Sequence, residues 1–314
     1  MTAAGRRIRT LATLPSRDLE GHKGTFGTTL IVGGATTPMF MPGAPALAGR
    51  AALRAGCGRV TLAVPRPLTA GIAAQLPEAT MLPLEIDDRV GASGVHEVCE
   101  EAMTTAHAVV CGCGWGRPEG LNALLATIVD REDRPRVLDA DALNALAVSG
   151  RDTLRGPLVL TPHPGEWNRL AGALGVDADA LHDERRPLAA ALLARRLDAG
   201  GGPVVVVLKG ARTVVSDGER WWRQEHRNSA LATGGSGDVL AGVVGSLLAQ
   251  FHPRAGARAS DTTRGAFELA CLGVAMHAAA GRWWSERHGE AGLLAHELAD
   301  ALPAARRLLQ SGDD

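Results

Sequence analysis

The sequence predicts an α/β fold, a central and mostly parallel sheet with helices on both of its faces. Two features of the 314-residue chain lead there, and a third says where ligands would gather. Short, continuously apolar, β-branched runs alternate with longer Ala/Leu-rich stretches at helical spacing. That is the pattern of strands buried on both faces and crossed over by helices. Most of the runs then end in glycine or in small, polar or charged residues. In an open parallel sheet, ligands collect beyond the carboxyl ends of the strands.

In chain order the predicted strands are Thr29–Val32, Val60–Val64, Ala108–Cys111, Val137–Asp139, Leu158–Leu160 and Val204–Leu208. Between them, Ala44–Ala55, Gly120–Asp130 and Arg186–Leu197 carry apolar residues at helical spacing. Thr213–Ser216 and Arg220–Arg223 flank Asp217-Gly218, a hairpin signal that suits a sheet edge. Val239–Phe251, Ala266–Glu286 and Leu293–Leu302 are predicted helices, interrupted by a surface loop over His252–Arg264 that is rich in Pro, Gly and charge. No repeat and no composition break marks an internal boundary. The expectation is a lead-in over residues 1–22, irregular or packed on an edge, and one domain over 23–314.

Composition narrows the function. With 46% hydrophobic and 21% charged residues the chain is ordinary for a globular protein. A net charge of -1 offers no basic surface for nucleic acid or anionic lipid. The N-terminus lacks the apolar core of a secretory signal, and no apolar run approaches the roughly 18–20 residues that span a bilayer. A cytoplasmic protein is expected. The five cysteines (Cys57, Cys99, Cys111, Cys113, Cys271) are odd in number and scattered, which argues against a disulfide framework. Cys111 and Cys113 lack a second Cys/His pair at zinc spacing, so buried free thiols are expected.

The segment richest in chemistry is Ala232–Gly242, ATGGSGDVLAG. Its glycines let main-chain N–H groups converge, and the helix that follows adds unpaired N–H groups and the positive end of its dipole. Together these form an anion pocket. Asp238 inside it is either a first-turn residue favoured by the dipole or a base that deprotonates a hydroxyl while the pocket holds a phosphoryl group.

Other strand ends contribute in turn. Lys209-Gly210 suits a polyphosphate or is an exposed lysine. In TPHPGEW, His163 is a substrate contact or a structural residue between two prolines. Glu166 organises Mg²⁺ through water or simply occupies a first helical turn. Asp139 and Asp141 form a carboxylate pair, one of which is expected to cap the next helix. Arg50 and Arg54 read as a solvated helix face, and Lys23 as a lysine within reach of the pocket.

The order of these motifs resembles one family. KGTFGTTLIVGG, MPGAPALAGRAALRAGCGRVTLAVP, CGCGWG, LDADALNAL, LTPHPGEW, VVLKGART and NSALATGGSGDVLAG follow one another as in the NAD(P)H-hydrate dehydratases, a family of the ribokinase-like superfamily. The likeness runs from about Lys23 to Pro303, and TPHPGE, KGxxT and ATGGSGD in that order are its specific part. It implies a ribokinase-like fold and a repair reaction. ADP or ATP phosphorylates the C6 hydroxyl of hydrated NADH or NADPH (the S epimer), and phosphate is then eliminated.

By position, Asp238 matches the base, and Gly235, Ser236 and Gly237 the anion-hole amides. Lys209, Gly210, Ala211, Arg212 and Thr213 match the nucleotide-binding turn, with Gly237 beside it. Ala44, Gly116 and His163 match positions that bind the hydrated dinucleotide, and Glu166 matches the acidic residue associated with Mg²⁺. ADP giving AMP and phosphate, a homodimer or homotetramer and a separate epimerase are further implications. Trp221, Trp222, Trp283 and Trp284 are either interface residues or buried aromatics.

Three features depart from the family pattern. Asn228-Ser229-Ala230-Leu231 replaces Asn-Pro-Gly-Met, Cys113 and Trp115 replace proline and leucine, and TFGTTL lacks a histidine. The competing reading is a ribokinase-like kinase of a small alcohol, such as a hydroxyethylthiazole or hydroxymethylpyrimidine. Another is a nucleotide-binding protein that has lost catalysis, against which Asp238, Lys209 and the glycine loop speak.

Overall fold

The computed structural model describes residues 4–86, 95–116, 121–253 and 262–311. The chain opens with a two-residue strand, β1 (Arg6–Arg7), and enters the main sheet at β2 (Thr28–Val32). Helix α1 (Gly43–Arg54), β3 (Arg59–Pro65), α2 (Thr69–Gln75) and β4 (Thr80–Leu84) come next. Three helix–strand units follow: α3 (Val95–Thr105) with β5 (Ala108–Cys111), α4 (Leu121–Val129) with β6 (Arg136–Leu138), and α5 (Asp141–Val148) with β7 (Leu158–Leu160). Helices α6 (Pro164–Leu174) and α7 (Arg186–Leu197) lead to β8 (Val204–Leu208) and to the hairpin β9 (Val214–Ser216) and β10 (Arg220–Arg223). Three long helices close the chain: α8 (Ser236–Phe251), α9 (Ala266–His288) and α10 (Ala295–Ser311).

All ten strands join one sheet in the order β1-β10-β9-β8-β7-β6-β5-β2-β3-β4. Only β9 runs against its neighbours; every other pairing is parallel. Alternate residues of each strand feed opposite cores, as the period of two requires. Ile31, Val60, Leu62, Val110 and Val205 belong to the apolar cluster of α1, α8, α9 and α10. Leu30, Val32, Val109, Leu160 and Val206 belong to that of α3 through α7. Burial on both faces is why these strands read as unbroken apolar runs.

The six predicted strands and the hairpin match the structure to within a residue or so, and β1 makes the lead-in an edge strand paired with β10. The strand β4 is absent from the sequence reading because Pro83 interrupts its pattern. Its place at the end of the sheet makes that proline tolerable. Gly120, the predicted start of α4, and residues 254–261 of the predicted surface loop lie outside the described residues.

All five cysteines are buried and free. Trp222 and Trp284 are buried within the chain, whereas Arg7 stacks over Trp221 and Arg287 over Trp283. Arg50 and Arg54 both pair with Asp300 of α10 on the helix face. Lys23 lies before β2, against Gly58 at the start of β3. That is the amino end of the strands, away from where ligands gather. No described helix is long and apolar enough to cross a membrane.

Candidate active site

Strand order reverses between β2 and β5: β3 and β4 lie on one side of β2, and β5 through β8 on the other. Such a reversal opens a crevice at the carboxyl ends of the two strands. Here its floor is backbone against backbone. Gly34 N donates to Cys113 O at 2.9 Å, and a Cβ on Gly33 would sit 2.4 Å from the same oxygen. Ala44, at the start of α1, closes one wall by packing against Gly114, where an added Cβ would come within 2.9 Å.

The start of α8 enters the same crevice. Gly235 is its N-cap at φ 89, a left-handed conformation that glycine adopts without strain. Ser236, Gly237 and Asp238 form the first turn; Ser236 N donates to Thr233 O at 3.3 Å, while the N–H groups of Gly237 and Asp238 and the dipole face the crevice. The Ser236 hydroxyl lies 3.1 Å from the buried Nε2 of His277, which is also 3.0 Å from the Ser236 carbonyl. Burial pulls the pKa of His277 down to about 4, so the ring is neutral and holds this turn by hydrogen bonding alone.

Asp238 meets two other polar groups directly. Among the described residues, one ligand atom each from Cys113, Asp139 and Asp238 lie within 4.8 Å of one another. Asp139 accepts from Lys209 Nζ at 2.7 Å and from Thr161 Oγ1 at 2.7 Å. Lys209 Nζ is also 3.7 Å from Glu166 Oε2 and would be 3.4 Å from a Cβ on Gly237. The glycine turn, the base candidate and the strand-end lysine therefore share one site.

Burial first, and then the charge of Asp139, push the Asp238 carboxyl up to about 7; Cys113 and Lys209 oppose this. Burial lowers the Lys209 ammonium, but Asp139 and Glu166 outweigh it and leave the pKa above its ordinary value. The buried Cys113 thiol is pushed well up and stays protonated.

Neither aspartate of LDADALN caps α5. Its N-cap is Ala140, at φ 48 and without a side-chain capping bond, a strained conformation for a residue with a Cβ. Asp139 is occupied by Lys209 and Thr161, while Asp141 Oδ2 accepts from Gly116 N at 2.9 Å and so fixes the predicted substrate-binding glycine.

His163 is the N-cap of α6. Its Nδ1 accepts from Gly165 N and Glu166 N, and Glu166 Oε2 accepts from His163 N at 2.8 Å, a reciprocal capping box. Its half-exposed ring also places Nε2 3.3 Å from Glu166 Oε1. The buried Glu166 carboxylate faces Lys209.

The Lys209–Thr213 turn depends on a residue the sequence reading passed over. Buried Arg186, at the start of α7, donates to the carbonyls of Leu208, Lys209 and Ala180, each at 2.8 Å. A Cβ on Gly210 would lie 2.6 Å from the Arg186 guanidinium. Thr213 Oγ1 closes the turn onto Gly210 O at 3.2 Å, Ala211 is exposed at its tip, and Arg212 pairs with Asp183 at 3.2 Å. A separate groove of about 760 Å³ runs between the lead-in, β10 and α9; none of the crevice carboxylates, Lys209 or the glycine turn lines it.

The chain is similar to known proteins over most of its length. Residues 29–304 match the family model described as NAD(P)H-hydrate dehydratase. An ADP-dependent (S)-NAD(P)H-hydrate dehydratase of Neisseria meningitidis is 38% identical over 93% of this chain and 88% of its own. A crystal structure of the ADP/ATP-dependent NAD(P)H-hydrate dehydratase of Bacillus subtilis, co-crystallised with ATP and Mg²⁺, superposes with a TM-score of 0.72 at 30% identity. That match covers 95% of each chain. A ribokinase-like superfamily protein of Enterococcus faecalis shares the fold, with a TM-score of 0.74 at 22% identity over 99% of this chain and 98% of that one. Other curated relatives are bifunctional NAD(P)H-hydrate repair enzymes, of whose length the chain spans about half. The fold is ribokinase-like, and the chain belongs to the NAD(P)H-hydrate dehydratase family.

Proposed function

We propose that the protein returns the S epimer of hydrated NADH and NADPH to the reduced coenzyme, with ADP as phosphoryl donor and AMP and phosphate as the other products. One observation carries the reading: Asp238, the glycine turn before it and Lys209 converge on one crevice through Asp139.

The chemistry follows from that arrangement. Asp238 takes the proton of the C6 hydroxyl as its oxygen attacks the β-phosphorus of ADP and AMP departs. The N–H groups of Gly235 and Gly237 receive the charge that builds on the transferring phosphoryl group, on either side of Ser236, whose own N–H is held by Thr233 O. Phosphate then leaves C6 with its bonding electrons, driven by the lone pair of the ring nitrogen, and loss of a C5 proton restores the dihydropyridine. Hydroxide leaves poorly, and phosphorylation removes that obstacle. Lys209 and the turn through Thr213 hold the donor phosphates. Ala44, Gly116 and the ring of His163 line the dinucleotide side.

Magnesium fits this site on charge. Asp139 and Glu166 lie 2.7 and 3.7 Å from the Lys209 ammonium and the charge of Lys209 also reaches Asp238, so donor phosphates entering the crevice need a further cation. Glu166, an oxygen donor, would hold Mg²⁺ through water. The protonated thiol of Cys113 is not a ligand for so hard an ion. The bound ion would neutralise phosphate charge in the transferring group.

Incubation of hydrated NADH with ADP and Mg²⁺ tests the proposal. Recovery of dihydronicotinamide absorbance supports it. A stable phosphate ester without recovery would instead mark a kinase of small alcohols.

A further inference from the structure

We propose that Asp139 is a positioning residue: anchored by Lys209 and Thr161, it supplies the fixed negative charge that reserves Asp238 as the proton acceptor of the crevice. The inference deepens the proposed function and rests on it for Asp238 being the base.

The argument begins from two buried carboxylates that do not have the same surroundings. Asp139 is 1% exposed, yet one of its oxygens accepts both the Lys209 ammonium and the Thr161 hydroxyl, each at 2.7 Å. An ion pair and a hydroxyl donor on one oxygen anchor that carboxylate firmly. No donor of equal strength is held by Asp238. Its neighbours are the weak thiol donor of Cys113 after β5, Asp139 after β6, Asp141 in the first turn of α5 and Lys209 after β8.

Among the described residues, the side chains that the other helices place against this turn carry no charge. Helix α1 presents Leu47 and α10 presents Ala295 against Gly235, and α9 presents the neutral ring of His277 to Ser236. Two carboxylates this close cannot both ionise freely, and the less anchored of the two takes the proton. Asp139 thus does two things at once: it fixes Lys209 beside Gly237, and it keeps Asp238 basic enough to accept a proton from an alcohol.

The chain places Asp139 for this task at some cost. The next residue, Ala140, is held at φ 48, and Gly112 must lack a side chain because a Cβ there would lie 1.9 Å from the Asp139 carbonyl. Strain and close approach at one turn are features that persist where the surrounding structure over-determines them.

The test is a titration of Asp238 in the full chain, without nucleotide or substrate, from the carboxyl-carbon resonances of ¹³C-labelled aspartate. Loss of one resonance in Asp238→Asn identifies the signal. The wild-type midpoint is expected near 7. In Asp139→Asn it should fall by about one pH unit or more, the effect of removing a close like charge. In Lys209→Met it should rise, because a neighbouring cation is lost. A midpoint unmoved in Asp139→Asn overturns the proposal. If that variant does not fold, Asp139→Ser decides by the same reading: a fall supports the proposal and no change overturns it. The titration can fail while hydrated NADH is still repaired, whereas a wild type inactive on hydrated NADH defeats the functional reading without moving the midpoint.

Discussion

A carboxylate in the first turn of a helix normally gains from the dipole, yet Asp238 keeps its proton to about 7 because it is buried beside Asp139. Two outcomes follow from the sign of that shift. A base must be ionised to act, so kcat/KM should rise with pH along a limb whose midpoint lies near 7 and level off above it. Folding responds in the opposite sense. Between the ordinary aspartate value of about 4 and its folded value, Asp238 binds a proton that the unfolded chain does not, so its contribution to stability falls as pH rises through this window. Asp238→Asn should therefore lose activity by a factor on the order of 10² to 10⁴. The same variant should gain in melting temperature relative to wild type, by more at pH 8 than at pH 4. Thermal melts at the two pH values check the second expectation.

At this scale Asp238, Lys209 and the glycines were legible because each announces itself locally, through a flexible turn before a helix or a charge at a strand end. Arg186, Thr161 and His277 were not. Their partners are 22, 22 and 41 residues away, and nothing near an ordinary arginine, threonine or histidine records such a contact.

Helices α1 and α8 cross at backbone distance, and that crossing sets where the anion pocket lies relative to Ala44. A Cβ on Gly242 would fall 2.1 Å from the Ala48 carbonyl oxygen and 2.8 Å from its carbon, so a backbone must move to admit it. Gly242→Ala should cost about 3 kcal/mol of stability, near the upper end for overpacking, and should lower activity by shifting the turn before Asp238. Gly172 in α6 has nothing within 4 Å of its added Cβ. Gly172→Ala should gain about 0.5–1 kcal/mol from helix propensity alone. Denaturant unfolding of the pair separates the two effects.

Elements with an unbroken pattern, such as β8 (VVVVL), were legible from that pattern. Short α2, Pro-interrupted β4 and two-residue β1 carry too little periodicity to read. Capping was misjudged at α5, because Asp139 and Asp141 suit an N-cap by residue type but are taken by Lys209 and Gly116 across the crevice.

The whole molecule decides what the site can bind. Alternation of strands and helices predicts a parallel sheet, but strand order arises from long-range pairing, so the reversal between β2 and β5 became visible only in the fold. That reversal gathers Asp139, Glu166 and Asp238 near one lysine. Nucleotide binding should accordingly depend on a divalent cation. ADP with Mg²⁺ should raise the melting temperature, and ADP with a chelator should raise it far less, because a ligand stabilises the folded state in proportion to its affinity.

The chemistry itself is tested most directly by the fate of one oxygen atom. Hydrated NADH carrying ¹⁸O in its C6 hydroxyl should, with ADP, yield inorganic phosphate that retains the label, one atom for each coenzyme restored. Label released into water would mean that the hydroxyl departs without ever being phosphorylated, and would contradict the account.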